Sequence, residues 1–449
     1  MLLMAALAFG GEKPYADDPG ITAKVTALQA RTGLMLGKFN VLPKDAGKYH
    51  STLKKGPGKR NYCSKMAYAP DRDTAMYCGG NHGSPHLLND VWEFHLRSNT
   101  WHLVSPPGND YRRFSELAKK AKKDKAFREG TFRELAKKWW NTCEVKNGYL
   151  GAKTNGGMIR PRHTWDGLTY DEHTRKLYWA VLDLNSQKWL TKLYAKHTGQ
   201  DEEKLLAQLR PASTMYMYDP QEKRWARQLG DGPFPRMHGM GGTLVYLSDI
   251  QKTLWYVAAQ NRTPNDFGMW SYDAARNTWK QLLGHKKVRS LVMGAKQAPG
   301  SELQAAYSPK HKKLVAVQGK GTFIYDVPAN AWKRASDTPG YAHDAHSVFA
   351  YDSNADIFLL VSRTGKSGPW RLFAYDLTQD KWETQEVKGN ALPNDTKKPA
   401  WRRYCFAGYY DANSNALVLY EGREGRTWIY RHTATSDTAR GQKDKALDD

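Results

Sequence analysis

In five hairpin-like segments of this chain, an aromatic residue is followed seven positions later by tryptophan. The pairs are Phe94–Trp101, Tyr218–Trp225, Tyr272–Trp279, Tyr325–Trp332 and Tyr375–Trp382. In four of them aspartate directly follows the aromatic residue, and the last three tryptophans lie 53 and 50 residues apart. Because aspartate initiates turns by accepting hydrogen bonds from nearby backbone amides, each copy is predicted to be a β-hairpin with tryptophan opening the second strand. A period near 50 residues is typical of propeller repeats.

A second hairpin pattern recurs six times, mostly just before the first one. Its copies cover residues 66–80, 166–181, 242–258, 305–319, 347–362 and 406–422. Each repeat is therefore predicted to hold four antiparallel strands, here named a, b, c and d in chain order. The sixth repeat reaches Tyr430 without a d strand, so we expect the N-terminal residues 36–47 to supply it. That strand would close the ring and remove the exposed sheet edges.

The first repeat resembles the kelch repeat. It has a glycine pair after strand b in "CGG" (78–80), followed by "NDVWEF" (89–94) and "NTW" (99–101). The resemblance covers roughly residues 36–432 and implies an all-β, six-bladed kelch-type β-propeller, similar to the central domain of galactose oxidase-like proteins. The glycine pair is absent from the other repeats. The copper-site residues of galactose oxidase have no match, so the resemblance does not extend to that chemistry.

Four segments fall outside the repeats. Residues 106–156 and 186–211 are predicted to be helical insertions, since the first has apolar residues at helical spacing with lysines between them. The apolar start of residues 1–20 resembles a signal peptide and predicts a secreted or periplasmic protein. Residues 433–449 form a polar tail. No apolar run is long enough to span a bilayer.

The charge balance points to an anionic partner. Lys and Arg number 68 against 45 Asp and Glu, which gives a net charge of +23. Such an excess favours an acidic polysaccharide or an acidic protein partner. Nucleic acid is not favoured, because no nucleic-acid-binding module is recognisable. We expect a monomer without metal or cofactor.

The four cysteines contain no CxxC pair, which excludes zinc-ribbon and thioredoxin-type motifs. Cys63 could pair with Cys78 or with Cys405, or the thiols could remain free.

The connections between repeats predict where chemistry would be found. In a propeller, the d-to-a loops and the b-to-c loops lie at the same end of the axial channel, which we call the strand-start end. The pattern is predicted to gather basic, histidine and tyrosine side chains there. They are Arg60, Tyr62, His82, Arg162, His163, Arg236, His238, Arg262, His343, His346, Arg363, Arg402, Arg403 and Tyr404.

Two functions fit this set of residues. The first is binding of an acidic polysaccharide, which needs only the arginines and exposed aromatic rings. The second is a polysaccharide lyase that cleaves a uronate-containing glycan by β-elimination, similar in kind to propeller-fold lyases such as ulvan lyases. That reaction would use His163 or His238 as base and Tyr62 or Tyr404 as acid. Arginines would neutralise the carboxylate, with Arg162, Arg236 and Arg403 as candidates.

Overall fold

The computed structural model describes most of the chain. The described residues are 14–58, 60, 62–79, 87–161, 163–180, 184–209, 215–227, 230, 235, 242–257, 268–284, 303–340, 347–364, 368–393, 406–422 and 424–434. Within them, six sheets of four or five strands form a six-bladed β-propeller. The all-β fold class predicted from the repeats is therefore confirmed.

The N-terminal part contains helix α1 (Pro19–Thr26), strand β1 (Thr32–Lys38) and strand β2 (Asn40–Leu42). Blade one consists of β3 (Ala67–Ala69), β4 (Thr74–Cys78), β5 (Val91–His95) and β6 (Thr100–Ser105). An insertion follows with helices α2 (Tyr111–Lys123), α3 (Lys125–Glu129) and α4 (Thr131–Trp140), then the hairpin β7 (Cys143–Lys146) and β8 (Tyr149–Ala152). The predicted helical insertion 106–156 thus ends in a β-hairpin.

Blade two consists of β9 (Leu168–Asp171), β10 (Lys176–Ala180), β11 (Met215–Asp219) and β12 (Arg224–Arg227). Helices α5 (Leu184–Thr198) and α6 (Glu202–Gln208) are inserted between β10 and β11, which are strands b and c. Blade three consists of β13 (Thr243–Leu247), β14 (Lys252–Val257), β15 (Gly268–Asp273) and β16 (Thr278–Gly284). Blade four consists of β17 (Gln304–Ser308), β18 (Lys313–Gln318), β19 (Gly321–Asp326) and β20 (Ala331–Arg334).

Blade five consists of β21 (Val348–Asp352), β22 (Ile357–Arg363), β23 (Trp370–Asp376) and β24 (Lys381–Thr384). The short strand β25 (Lys388–Gly389) precedes blade six, whose own strands are β26 (Phe406–Asp411), β27 (Ala416–Glu421) and β28 (Arg426–Arg431). The fourth strand of blade six is β1, which pairs antiparallel with β28. This strand begins four residues before the predicted stretch 36–47 and overlaps it at residues 36–38, whereas β2 within that stretch pairs parallel with β6 of blade one.

The spacing of seven residues between aromatic and tryptophan has a simple geometric origin. In all five hairpins the two residues face each other across strands c and d, as in the pair Tyr272–Trp279. Their ring centroids lie 4.8 to 5.2 Å apart. The aspartate after the tyrosine accepts backbone hydrogen bonds in the turn; Asp376, for example, accepts from the amides of Thr378 and Gln379. Cross-strand aromatic pairs of this kind stabilise hairpins.

Apolar clusters fill all six borders between neighbouring blades. The border between blades six and one contains the contact of Trp101 with Tyr420, whose ring centroids are 4.9 Å apart. At the same border Gly408 exchanges backbone hydrogen bonds with Ser64 and Met66. A Cβ atom at Gly408 would come within 2.6 Å of the Val418 carbonyl oxygen, so only glycine fits this close approach.

Among the described residues, no helix has the length and hydrophobicity needed to span a membrane. Of the cysteines, Cys63, Cys78 and Cys143 are buried free thiols, so Cys63 and Cys78 are not joined in a disulfide. Cys405 lies outside the described residues. Residues 1–13 of the expected leader also lie outside them, whereas Tyr15 packs on blade one, its ring stacked 3.5 Å from His102 and its hydroxyl donating to Glu93.

Candidate functional site

Four of the predicted site residues, Arg60, Tyr62, His163 and Arg363, belong to the described part of the chain, and the structure brings two of them together. The Tyr62 and His163 ring centroids are 4.5 Å apart, and His163 packs edge-on against Trp165 at 4.4 Å. The backbone holds this group because the Trp165 amide donates to the Tyr62 carbonyl at 2.6 Å. Tyr62 is half-buried, whereas His163 and Trp165 are buried.

The backbone at this aromatic cluster is unusual. Tyr62 has a φ of 56° and Trp165 a φ of 43°, both in the left-handed region. Bulky residues rarely adopt this conformation, because the Cβ atom crowds the backbone. Elsewhere in the propeller the left-handed residues are mostly those that end hairpin turns. Local strain of this kind is often found where a protein positions functional side chains.

Arg60 has a structural role in the described structure. Its guanidinium is fully buried and lies 2.6 Å from the Asp90 carboxylate. It also donates to the carbonyls of Pro57 and Gly79, and it lies over the Tyr77 ring at 5.3 Å. These contacts join the beginning of blade one to its b-to-c loop. A buried arginine with so many partners is not placed to meet a ligand, and we do not retain Arg60 in the proposed binding set.

Arg363 lies on blade five, at the end of strand β22. It is mostly buried, and its guanidinium stacks over the Trp370 ring at 5.2 Å. The other predicted site residues lie outside the described residues. They are His82, Arg162, Arg236, His238, Arg262, His343, His346, Arg402, Arg403 and Tyr404.

The helical insertions form one lobe, made of α2 to α6 with the hairpin β7–β8. Its core contains the stacked pair Phe114 and Trp139, with ring centroids 4.5 Å apart, and also buries Tyr194. Ile159 belongs to the same core and lies four residues before His163 in the chain. Because both insertions leave the propeller through loops of the strand-start end, the helical lobe stands beside the aromatic cluster.

The axial channel is closed by a layer of polar residues, which we call the axial layer: Ser64, Lys65, Asp166, Thr243, Gln304 and Ser347. The Gln304 side-chain amide donates to the Ser64 hydroxyl at 3.2 Å, which links blade four to blade one across the axis. Asp166 of blade two accepts from the Ala305 amide of blade four at 3.0 Å and from the Thr243 hydroxyl. Burial raises the pKa of Asp166, and the neighbouring Lys65 opposes that shift. The axial layer separates the two mouths of the channel.

At the opposite end, which we call the turn end, a cavity of about 260 Å³ opens between the a-to-b turns. All six blades contribute to its wall, each with a tyrosine near the end of strand a. These tyrosines are Tyr68, Tyr170, Tyr246, Tyr307, Tyr351 and Tyr410. The floor is formed by Lys65 together with small residues of the inner strands.

The sequence interpretation missed this cavity, although a signal was present. Tyrosine occupies the same place in all six a-to-b hairpins, for example in "AAYSPK" and "FAYDSN". That regularity could have been noticed as readily as the tryptophan spacing. Lys65 and Asp166 carry no such signal, because only the closed ring brings them within 3.4 Å of each other.

One group of described residues has the geometry to hold a metal ion: Asp17, Asp73 and His95. The guanidinium of Arg97 already contacts both carboxylates, with Nε 3.5 Å from Asp17 and a terminal nitrogen bonded to Asp73. This arginine supplies the positive charge that the two carboxylates need, and it ties the N-terminal segment to blade one.

Known proteins resemble this chain only weakly. No protein-family model and no curated protein sequence matches it. An auxiliary nutrient binding protein from Bacteroides ovatus aligns over 89% of this chain and 76% of its own, at 8% identity and a TM-score of 0.43. An oligogalacturonate lyase aligns over 83% and 77%, at 11% identity and a TM-score of 0.37. TolB from Acinetobacter baumannii aligns over 63% of this chain and 58% of its own, at 11% identity and a TM-score of 0.33. Similarities of this size do not transfer a ligand or an activity.

Proposed function

We propose that this protein binds an acidic polysaccharide at the strand-start end of its propeller. The observation that carries the proposal is the strongly basic helical lobe beside the cluster of Tyr62, His163 and Trp165. The lobe would attract the charged chain, and the aromatic cluster would contact its sugar rings. Export, which the N-terminal sequence predicts, would bring the protein to such polymers.

The charge of the helical lobe supports an anionic ligand. Residues 111–140 hold eleven Lys and Arg against four Asp and Glu. Within residues 111–140, the ion pairs Arg112–Glu116 and Arg128–Glu129 join exposed residues and neutralise little of this excess. Lysines on exposed positions of α2 and α4, among them Lys119 and Lys137, remain available to solvent and counter-ions. A positively charged surface concentrates polyanions and speeds their association.

The aromatic groups at this end suit a carbohydrate. Tyr62 is half-buried, its backbone is bonded to Trp165, and its ring packs against the rings of His163 and Trp165. On the helical lobe, Trp189 is 47% exposed. Rigid aromatic rings give large contact areas at a small cost in conformational entropy.

The pair Tyr62 and His163 also favours the second candidate function, a polysaccharide lyase. In β-elimination a base removes the C5 proton of a uronate, the C4–O bond breaks, and a C4=C5 double bond forms. The leaving oxygen receives a proton from an acid. His163 would take the C5 proton and Tyr62 would protonate the leaving oxygen, since their rings are 4.5 Å apart. The arginines needed to neutralise the carboxylate would be Arg162, Arg236 and Arg403.

The experiment measures binding of polygalacturonate, alginate and neutral dextran by calorimetry at low and high salt. We expect the two acidic polymers to bind and dextran not to bind, with affinity falling as salt rises, because salt screens exposed charges. The variant with Lys119, Lys122, Lys137 and Lys138 changed to Gln should bind at least about tenfold more weakly, since each exposed contact contributes up to about 1 kcal/mol. A matched variant with Lys312, Lys320, Lys333 and Lys388 changed to Gln lowers the net charge equally but away from the lobe, and should bind normally.

Turnover is measured on the same polymers through the absorbance of unsaturated uronate ends. New ends that disappear in His163→Ala and Tyr62→Phe would establish the lyase. Binding without new ends would establish the binding protein. Equal affinity for dextran and the acidic polymers, or equal losses in both quadruple variants, would overturn the proposal.

A further inference from the structure

The cavity at the turn end has the features of a second binding site, and it is separated from the first by the axial layer. Its wall is preorganised, because the hydroxyls of three wall tyrosines are hydrogen-bonded to the turns of neighbouring blades. Tyr307 donates to Asp249 at 2.7 Å, Tyr170 to Asp71 at 3.2 Å, and Tyr68 to Asp411 at 3.4 Å. Each of these bonds crosses a border between blades. A wall held in this way loses little entropy when a ligand enters.

Among the described residues that line this cavity, the positive group is the ammonium of Lys65 at the floor. It donates to the Leu244 carbonyl at 2.8 Å and lies 3.4 Å from Asp166. An ammonium has three donor hydrogens, so these two contacts leave one for a group in the cavity. The Asp166 carboxylate is shared with Thr243 and the Ala305 amide, which weakens its hold on Lys65. Lys65 can therefore pair with an anion that enters from the turn end.

The distance from floor to wall sets the length of the ligand. Tyr246 follows Leu244 by two residues of extended strand, so the tyrosine level lies about 7 Å above the Lys65 ammonium. This is the length of one six-membered ring bearing a carboxylate. A cavity of about 260 Å³ agrees with that size, since it has room for about nine water molecules.

Glu172 is the other charged residue that lines the cavity. Burial, with repulsion from Asp71 and Asp171, raises the pKa of its carboxyl group. It lies at the rim, in the a-to-b turn of blade two, two residues beyond Tyr170. A carboxylate bound at the floor would be in direct contact with the Lys65 ammonium, whereas Glu172 lies at the far end of the cavity, so the attraction exceeds the repulsion.

We propose that the cavity at the turn end binds a small molecule that combines one ring with one carboxylate. The carboxylate pairs with the Lys65 ammonium and the ring lies among the tyrosines. Two sources share this chemistry, a monomeric uronic acid and an aromatic carboxylic acid. The site does not depend on the proposed function of the strand-start end.

The experiment titrates the full chain by calorimetry with galacturonate and with benzoate, each beside a neutral analogue, galactose and benzyl alcohol. We expect one or both carboxylates to bind with a Kd below about 1 mM and at least about tenfold more tightly than the neutral analogue, because a charged hydrogen bond is stronger than a neutral one. Binding of galacturonate alone assigns a uronic acid, and binding of benzoate alone assigns an aromatic acid. Failure of both carboxylates to bind overturns the proposal.

Two variants locate the binding. The double change Lys65→Met with Asp166→Asn removes the ion pair as a unit and should abolish the preference for the carboxylate over its neutral analogue. Ala412→Trp leaves Lys65 in place and should block the cavity, because Ala412 is exposed at its rim. Lys333→Met, on an outer strand, is the matched control and should bind normally. Carboxylate binding that persists in Ala412→Trp would place the ligand elsewhere and overturn the proposal, whether or not polygalacturonate still binds.

Discussion

The two ends of the propeller are built in different ways. At the turn end the six blades repeat one another closely: the last residue of every a-to-b turn is left-handed, namely Asp73, Arg175, Gln251, Lys312, Asp356 and Asn415. At the strand-start end the described blades differ, with a helical lobe on blades one and two and left-handed backbone at Tyr62 and Trp165. Features shared by all blades are those the fold itself requires. Features found in only one or two blades indicate where those blades have a function besides forming the fold.

Charge separates the two ends as well. The six a-to-b turns (70–73, 171–176, 248–252, 308–313, 352–357 and 411–416) hold eight acidic and seven basic residues. Residues 111–140 of the helical lobe hold four acidic and eleven basic residues. The positive excess of the chain is therefore concentrated partly on the lobe, while the rim of the turn end is close to neutral. The positively charged helical lobe suits a long polyanion. The turn end suits a small molecule with a single carboxylate, which can pass a rim that is close to neutral.

The largest loss of stability is expected from Arg60→Ala. This variant tests whether every basic residue at the strand-start end contributes to ligand binding. Removal of the guanidinium leaves the Asp90 carboxylate buried without its counter-ion, and such losses cost about 3–5 kcal/mol. The free energy of unfolding, measured by urea denaturation, should fall by that amount. Arg276→Ala removes an exposed pair with Asp273 and should change it by less than about 0.5 kcal/mol. A stable Arg60→Ala protein with weakened polysaccharide binding would make Arg60 a ligand residue instead.

An intermediate effect is expected from Asp411→Asn at the turn end. Burial, together with repulsion from Asp73, raises the pKa of Asp411 to about 6. Between pH 4 and pH 6 the folded protein thus binds more protons at this site than the unfolded chain, and stability falls as pH rises through that window. The free energy of unfolding, measured from pH 4 to pH 7, should decline less in Asp411→Asn, by about 1–3 kcal/mol over the window.

Asp326→Asn, which makes the same chemical change at an outer turn, is the control for that experiment. An unchanged profile in Asp411→Asn would mean that this carboxyl group is not held in its neutral form.

The smallest effect is expected from Tyr351→Phe, which removes one hydroxyl from the tyrosine wall. That hydroxyl donates to Asp356 at 2.7 Å, and a bond of this kind contributes about 1 kcal/mol. The free energy of unfolding, obtained from thermal unfolding, should fall by that amount. In a double-mutant cycle with Asp356→Ala, the two losses should not add, because each removes the same bond. Additive losses would show that the tyrosine wall is not held by its hydroxyl groups.

The repeat could be derived from the sequence because its information is local. The spacing from Tyr272 to Trp279 is the spacing of a cross-strand pair around a four-residue turn, and every copy repeats it. Six a-to-b hairpins therefore predict six blades. The predicted closing strand, 36–47, overlaps β1 only at its first three residues, because the partners of β1 are nearly 400 residues away and local sequence does not fix that pairing.

The burial and contacts of individual side chains at the site could not be derived from local sequence. Arg60 was grouped with the other arginines, yet it is buried against Asp90, 30 residues away. Tyr62 and His163 were both predicted, but their contact at 4.5 Å depends on how blades one and two meet. The wall tyrosines are visible as a repeated residue, but a tyrosine at the end of a strand does not by itself predict a cavity, which forms only when six blades close into a ring.

The sequence by itself determined the repeating unit, its number and the excess of positive charge, since each of these depends on neighbours within about 20 residues. Only the tertiary structure decided that Ser64 and Gln304, 240 residues apart, meet on the axis and divide the channel. It also decided that Lys65 faces a tyrosine-lined cavity while Arg60, five residues earlier, is buried in an ion pair. The physical reason is that burial and pairing depend on distances across the closed ring, and those distances arise only when all six blades pack together.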